Sequence, residues 1–308
     1  MKIVITGGAG LVGQNLVSRL KSKGFDTIVA IDKAAANAAV LREHHPDVKV
    51  VVANLATDDG WQQELAGADA LVSAHAQIGG LVAEEFVANN VTASERLVVA
   101  AKAAGVPYMV NISSSVVNSM AIDNYTETKK AQEKLIAASG IPQVILRPTL
   151  MFGWFDRKHV GWLARFMEKA PVFPIPGSGK YLRQPLYVGD FCDVIAAAID
   201  RRIEGAYNIT GQERIDYIDL IREMKRATGA KTAIVRIPYG AFRTMLRTYA
   251  LFSKNPPFTE KQLEALTTPD VFEVIDWPRI FGVRATPLNE AFAETFGHPV
   301  YSKIALQF

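Results

Sequence analysis

The chain has a single cysteine, Cys192, in 308 residues, so no disulfide can form within it. That thiol sits in an apolar helical pattern with Phe191, Val194 and Ile195 and reads as a core residue. Histidine is scarce too: His44, His45, His159 and His298 are scattered without metal-ligand spacing, and no metal is expected. A net charge of +3 is too small to imply a nucleic-acid partner or an anionic membrane. No apolar run reaches the ~18 residues that a membrane span needs. Met1 leads straight into a strand pattern with no export-type apolar segment, so the expected location is cytoplasmic. Repeats and low-complexity tracts are lacking as well. What is left, 49% apolar and 21% charged, is ordinary globular material, long enough for one large and one smaller domain.

What is present starts at once. Ile3, Val4 and Ile5 form an apolar run short enough for a buried parallel strand; glycines follow at 7, 10 and 13, and then a helical pattern through Leu16, Val17 and Leu20. Gly7 permits a sharp turn, Gly10 lets a pyrophosphate approach the backbone, and Gly13 lets the helix pack close to the sheet. The helix start, with Leu11 and Val12, presents its N–H groups to the phosphates. A second strand pattern, Phe25 to Ile31, ends at Asp32, where a carboxylate accepts hydrogen bonds from the adenosine ribose and favours NAD. Lys33 beside it leaves NADP as the alternative, since a cation there suits a 2′-phosphate.

Further strand patterns follow at Val48–Ala53, Ala70–Ala74, Tyr108–Ile112, Val144–Leu146 and Ala206–Ile209, with helical patterns between them. The expected fold is α/β: a Rossmann-type doubly wound parallel sheet from residues 1–150, rejoined by 184–210 with Leu186 to Val188 returning to the sheet. Residues 151–183 and 211–308 are expected to build a smaller, mostly helical substrate-binding lobe. The binding crevice lies at the carboxyl ends of the strands, where the glycines, Asp32, Asn54 with Leu55, His75 and Ser113 to Ser115 all fall.

Tyr125 and Lys129 are four apart at the start of a predicted helix and share a face. A phenol of pKa ~10 is a poor base at neutral pH. An ammonium about 4 Å away favours the phenolate by roughly 4 kcal/mol, of order three pKa units before desolvation opposes it. Ser114 or Ser115, at the end of the preceding strand, is placed to hold a substrate carbonyl or carbinol.

Thr6 to Gly13, the serine-ended strand and Tyr125-Thr126-Glu127-Thr128-Lys129 together resemble the extended short-chain dehydrogenase/reductases, the NAD-dependent epimerase/dehydratase group. The likeness continues through Asn89 to Ser94, Leu146-Arg147-Pro148-Thr149 and Arg183 to Asp190, and covers about the first 210 residues. It implies a catalytic set of Ser114 (or Ser115), Tyr125 and Lys129, with Lys129 also on the nicotinamide ribose, Asn90 ordering that end, and Arg183 holding a substrate phosphate. It also implies NAD, a nucleotide-sugar substrate, and epimerase or dehydrogenase chemistry. Departures exist. The segment between the serines and Tyr125 is short, Asn54 replaces a common adenine-binding aspartate, and His75 stands near the nicotinamide either as a site residue or as a filler. The short segment also admits a reductase of a small hydrophobic or steroid-like carbonyl. The Arg147 region and the stretch Pro257 to Leu266 resemble an atypical branch, related to an accessory subunit of respiratory complex I, that binds NADPH structurally. Around Arg243, Arg247, Tyr249 and Phe252 the pattern reads as a packed helix with a solvated basic face, with the lining of an amphiphilic pocket or a membrane-surface contact as the alternative. A homodimer through two long helices suits the fold but is not written in the sequence.

Overall fold

The computed structural model describes residues 1–120, 122–156, 158–252, 260–268 and 272–307. Short runs rich in Val and Ile, bounded by Gly, Asp and Ser, make the strands β1 (Lys2–Thr6), β2 (Thr27–Asp32), β3 (Lys49–Val52), β4 (Ala70–Ser73), β5 (Met109–Ile112) and β6 (Gln143–Pro148). With Gly205–Ile209 they form one seven-stranded sheet, in the order (205–209)-β6-β5-β4-β1-β2-β3. Every pairing in it is parallel.

Both faces of the sheet are covered, which is why its strands read as apolar runs rather than as alternation. On one face Ile3, Ile5, Ile28 and Ala30 pack with Leu16 and Leu20 of α1 (Leu11–Ser22) and with Phe191, Cys192 and Ile195 further along the chain. On the other, Val4, Ile31, Leu71 and Met109 meet Leu97 and Ala101 as well as Ile136.

Helix α2 (Ala35–His44) follows β2. After β4 the chain makes a short α3 (Ala83–Phe86), a wide π turn over Val87–Thr92, and α4 (Ala93–Ala103). Asp123 opens α5 (Asn124–Ala137), its carboxylate accepting from the Thr126 N–H at 2.9 Å, a capping bond of the kind that fixes where a helix begins.

Past β6 come α6 (Val160–Lys169), α7 (Val188–Arg201), α8 (Tyr217–Thr228), α9 (Tyr239–Phe252), α10 (Glu260–Thr267), α11 (Trp277–Phe281) and α12 (Leu288–Gly297). Val172–Pro176 pairs in parallel with Ala233–Ile237, and Phe152, Met167, Phe173, Ile221 and Phe292 form a separate cluster there. The strand at Leu186–Tyr187 does not rejoin the sheet as expected; it pairs with Met151–Phe152 in a small sheet of its own. α7 does return, because its buried stripe fits against α1. Trp277 and Phe281 also pack into the sheet core, and Gln307 reaches Asn37 of α2. Arg19 of α1 ties the two regions together through Glu294 at 2.5 Å and the Tyr187 hydroxyl at 3.0 Å. Pro257 to Thr259 lie outside the described residues. Among the described residues no helix is long and apolar enough to cross a membrane.

Candidate active site

A cleft of about 1010 Å³ runs along the carboxyl ends of the strands, lined by Gly7, Gly10, Asp32, Lys33, Asn54, Leu55 and His75. Sequence places these residues far apart, and the parallel sheet brings them to one edge.

The three glycines differ in what they permit. Gly7 has φ +68° and presses on the backbone of Ala74 and His75, where a Cβ would come within 2.7 Å. At Gly13 a Cβ would meet the carbonyl oxygens of Gly8 and Gly7 at 2.4 and 2.5 Å, so α1 sits directly on the turn. Gly10, by contrast, meets only the Gly7 carbonyl, at 3.2 Å, and otherwise opens into the cleft. No side chain caps α1, which leaves its first-turn N–H groups for an anion. Leu11 and Val12 lend only backbone: Leu11 packs toward Trp154 and Phe155, Val12 toward the core.

Asp32 holds the turn itself, with one carboxylate oxygen accepting from Ala9 N–H at 3.0 Å and the other from Ala34 N–H at 2.8 Å. Burial pushes its carboxyl up, and those bonds with the Lys33 charge only partly oppose it. Lys33 reaches Asn89, whose amide oxygen is 2.9 Å from the ammonium, so two walls of the cleft are latched together. Asn54 uses its side-chain oxygen on the Ala56 N–H at 3.0 Å, in a turn closed by Asp58.

Asn90 does not reach the cleft. Its amide is fully occupied, accepting from Gln77 N–H at 2.6 Å and donating to the Gln77 carbonyl and Thr128 hydroxyl at 3.1 and 3.0 Å. It therefore orders the segment after β4 against α5, and the wide turn over Val87–Thr92 turns it inward.

Ser114 follows β5, and Tyr125 lies in the first turn of α5. The Ser114 hydroxyl neighbours the phenol and favours its ionised form, but burial and then the Asp123 charge act against this, and the phenol is pushed up. Ser115 begins the short helical turn that Ser114 caps. Lys129 differs from expectation: buried, it donates to the Ile112 carbonyl at 2.9 Å and to Gln132, and it is not among the groups acting on the phenol. Burial lowers its ammonium to about 7.

Lys129 has a sequel that spacing did not reveal. Gln132 donates to the Ser94 hydroxyl at 2.8 Å, Ser94 lies 3.0 Å from His75 Nε2, and His75 Nδ1 lies 2.8 Å from the Thr6 hydroxyl. Both ring nitrogens of His75 are thus engaged, and burial, with the Lys129 charge, lowers it to about 3, so it stays neutral. This favours the filler role for His75, as a link in a buried polar chain. Gln132 was findable, lying three residues beyond Lys129 on the same helical face.

Arg183 donates to the carbonyls of Leu182 and Thr268 at 3.1 and 2.8 Å and lies over the Tyr181 ring. A substrate phosphate would have to compete with this tether. Arg243 and Arg247 both pair with Glu260. Among the described residues no cluster of His, Cys, Asp and Glu could hold a metal ion.

The buried lysine carries a prediction. Its folded pKa of about 7 lies below the ordinary 10.5, so between those values the unfolded chain binds more protons. Stability should then rise with pH across that window by up to about 1.4 kcal/mol per unit, and the burial penalty should be fully present below it. Urea titrations from pH 6.5 to 9.5 should show this slope flattened in Lys129→Met; equal slopes in both proteins would refute it.

A model of the NAD dependent epimerase/dehydratase family matches residues 3–210. The chain is similar to a ceramide reductase of Caulobacter vibrioides, 24% identical over 77% of this chain and 73% of that protein. It is equally similar to a 2-alkyl-3-oxoalkanoate reductase of Stenotrophomonas maltophilia, 24% identical over 92% of this chain and 94% of that one. In fold it matches UDP-glucuronic acid 4-epimerase of Bacillus cereus in complex with NAD, with a TM-score of 0.74 at 20% identity over 97% and 96% of the two chains.

Proposed function

We propose, from the premise that this chain belongs to the NAD-dependent epimerase/dehydratase family, that it reduces a carbonyl to a carbinol with the cofactor in the long cleft. The observation that carries this is the Tyr125 phenol set beside the Ser114 hydroxyl. A phenol is protonated at neutral pH, and carbonyl reduction needs a proton donor at the oxygen. Ser114 would orient that oxygen and Tyr125 would give it the proton.

NAD, when bound, supplies the hydride acceptor or donor. Gly7, Gly10 and the first-turn amides of α1 would hold its phosphates and Asp32 its adenosine ribose, where a carboxylate disfavours a 2′-phosphate. The Gly10 opening, which a Cβ would narrow, fits such a group. Lys129 would bind the second ribose after release from Gln132.

The substrate reading leans toward an apolar carbonyl compound rather than a nucleotide sugar. Two reductases among the relatives are named for ceramide and 2-alkyl-3-oxoalkanoate, and Arg183 is tethered to the protein's own carbonyls. Reduced nicotinamide cofactor deuterated at C4, incubated with a panel of 3-oxo esters, steroid ketones and UDP-sugars, tests the reading. Deuterium should appear in a carbinol from one of the first two classes. A parallel incubation with oxidised NAD that gives product only from UDP-sugars, with no net change in the cofactor, would replace this reading by epimerisation.

A further inference from the structure

A second cavity, of about 240 Å³, lies away from the nucleotide between α6, α8, α9 and α10, and no charged side chain lines it. Its walls are Trp162, Phe166, Phe173, Tyr217, Met245 and Leu266, with neighbouring aliphatic and proline side chains. The rings are set for packing: Trp162 stacks on Phe166 at 5.5 Å, and Phe166 meets Phe173 edge to face at 5.6 Å. An apolar cavity of about 150 Å³ is enough to take a benzene ring, so this one holds on the order of ten carbons.

Helix α6 connects it to the cleft. Lys158, just ahead of the helix, lines the nucleotide cleft, and Trp162, about one turn on, lines the cavity. One carboxylate, Asp156, accepts from the N–H groups of Lys158, His159 and Gly161 at the start of the helix. The outer wall is fixed where Glu260 of α10 pairs with Arg243 and Arg247 of α9. Trp162 and Met245 are partly exposed, so the cavity has a mouth.

We infer that this cavity seats the apolar tail of the substrate whose carbonyl is presented to Tyr125, so that the natural substrate is an alkyl or acyl chain compound. This rests on the carbonyl-reduction reading above. The occupant is hydrocarbon because the walls hold no charged group to pair a phosphate and only the Trp162 indole N–H and the Tyr217 hydroxyl to meet the several hydroxyls of a sugar, and burying such groups unpaired is costly.

The test uses the full chain with reduced NAD and methyl 3-oxoalkanoates of increasing length. KM should fall roughly fourfold per added methylene until the cavity is full and then level off, because each buried methylene contributes about that factor. Met245→Trp should bring the levelling point to shorter chains. A chemistry-independent arm follows quenching of tryptophan fluorescence by 10-bromodecanol, which should be strong in the natural chain and weak in Trp162→Phe. Turnover independent of chain length, or quenching unchanged in Trp162→Phe, would overturn the tail site while leaving the reduction reading standing. Chain-length-dependent quenching by bromoalkanols without turnover of any ketone would support the tail site and overturn the reduction reading instead.

Discussion

Tyr125→Phe lowers kcat for carbonyl reduction by roughly 10²- to 10⁴-fold, the range of a lost general acid, and leaves NAD affinity nearly unchanged. The variant removes one oxygen atom from a half-buried ring, and Tyr125 is not among the residues that line the nucleotide cleft. Ser114 stays in place, since its hydroxyl also accepts from the Val116 N–H and so keeps a partner. Steady-state rates paired with fluorescence titration of NAD separate the two effects. A variant that turns over as fast as the parent refutes Tyr125 as the acid, and one that has lost NAD as well points to damage rather than chemistry.

Alanine at two of the glycines should give opposite phenotypes. Gly10→Ala directs its methyl into the cleft, so the protein should melt within about a degree of the parent when empty. Its NAD affinity should fall by roughly tenfold or more, because each 1.4 kcal/mol of lost contact is a factor of ten. Gly13→Ala places the same methyl within 2.5 Å of three backbone atoms that have no side-chain freedom to yield. Overpacking of this kind costs typically 1–3 kcal/mol, about 2–10 °C in Tm for a chain of this size, before any ligand is added. Thermal melts with and without NAD decide it. Equal loss of Tm in both would mean that the turn and helix move together and that Gly10 is as confined as Gly13.

The parallel strands of the sheet and the residues at their carboxyl ends were legible because each rests on local grammar: apolar runs, glycines where the chain turns, an acid at the end of β2. The polar chain from Lys129 to Thr6 was not. Its contacts span 38, 19 and 69 residues and exist only because α4 and α5 pack on the same face of the sheet. The four-residue spacing of Tyr125 and Lys129 suggested a pair, but it carries no information about the Ile112 carbonyl, which captures the ammonium from the strand beneath. Asn90 likewise lies in a motif whose neighbours line the cleft, and only the wide π turn decides that Asn89 faces the cleft while Asn90 is buried. Leu186 and Tyr187 read as a strand and are one, but nothing in two residues specifies which partner they take.

Gln307 bears on how the molecule comes into being. It lines the nucleotide cleft and clasps Asn37 with two backbone bonds, donating at 2.9 Å and accepting at 2.7 Å across 270 residues of sequence. During synthesis, therefore, β1, the glycine turn and Asp32 emerge well before one wall of the cleft, which waits for a residue 270 positions beyond Asn37. Until Gln307 is made a nascent chain holds a half-built groove, and full nucleotide affinity arrives with that residue rather than with the motif that announces it.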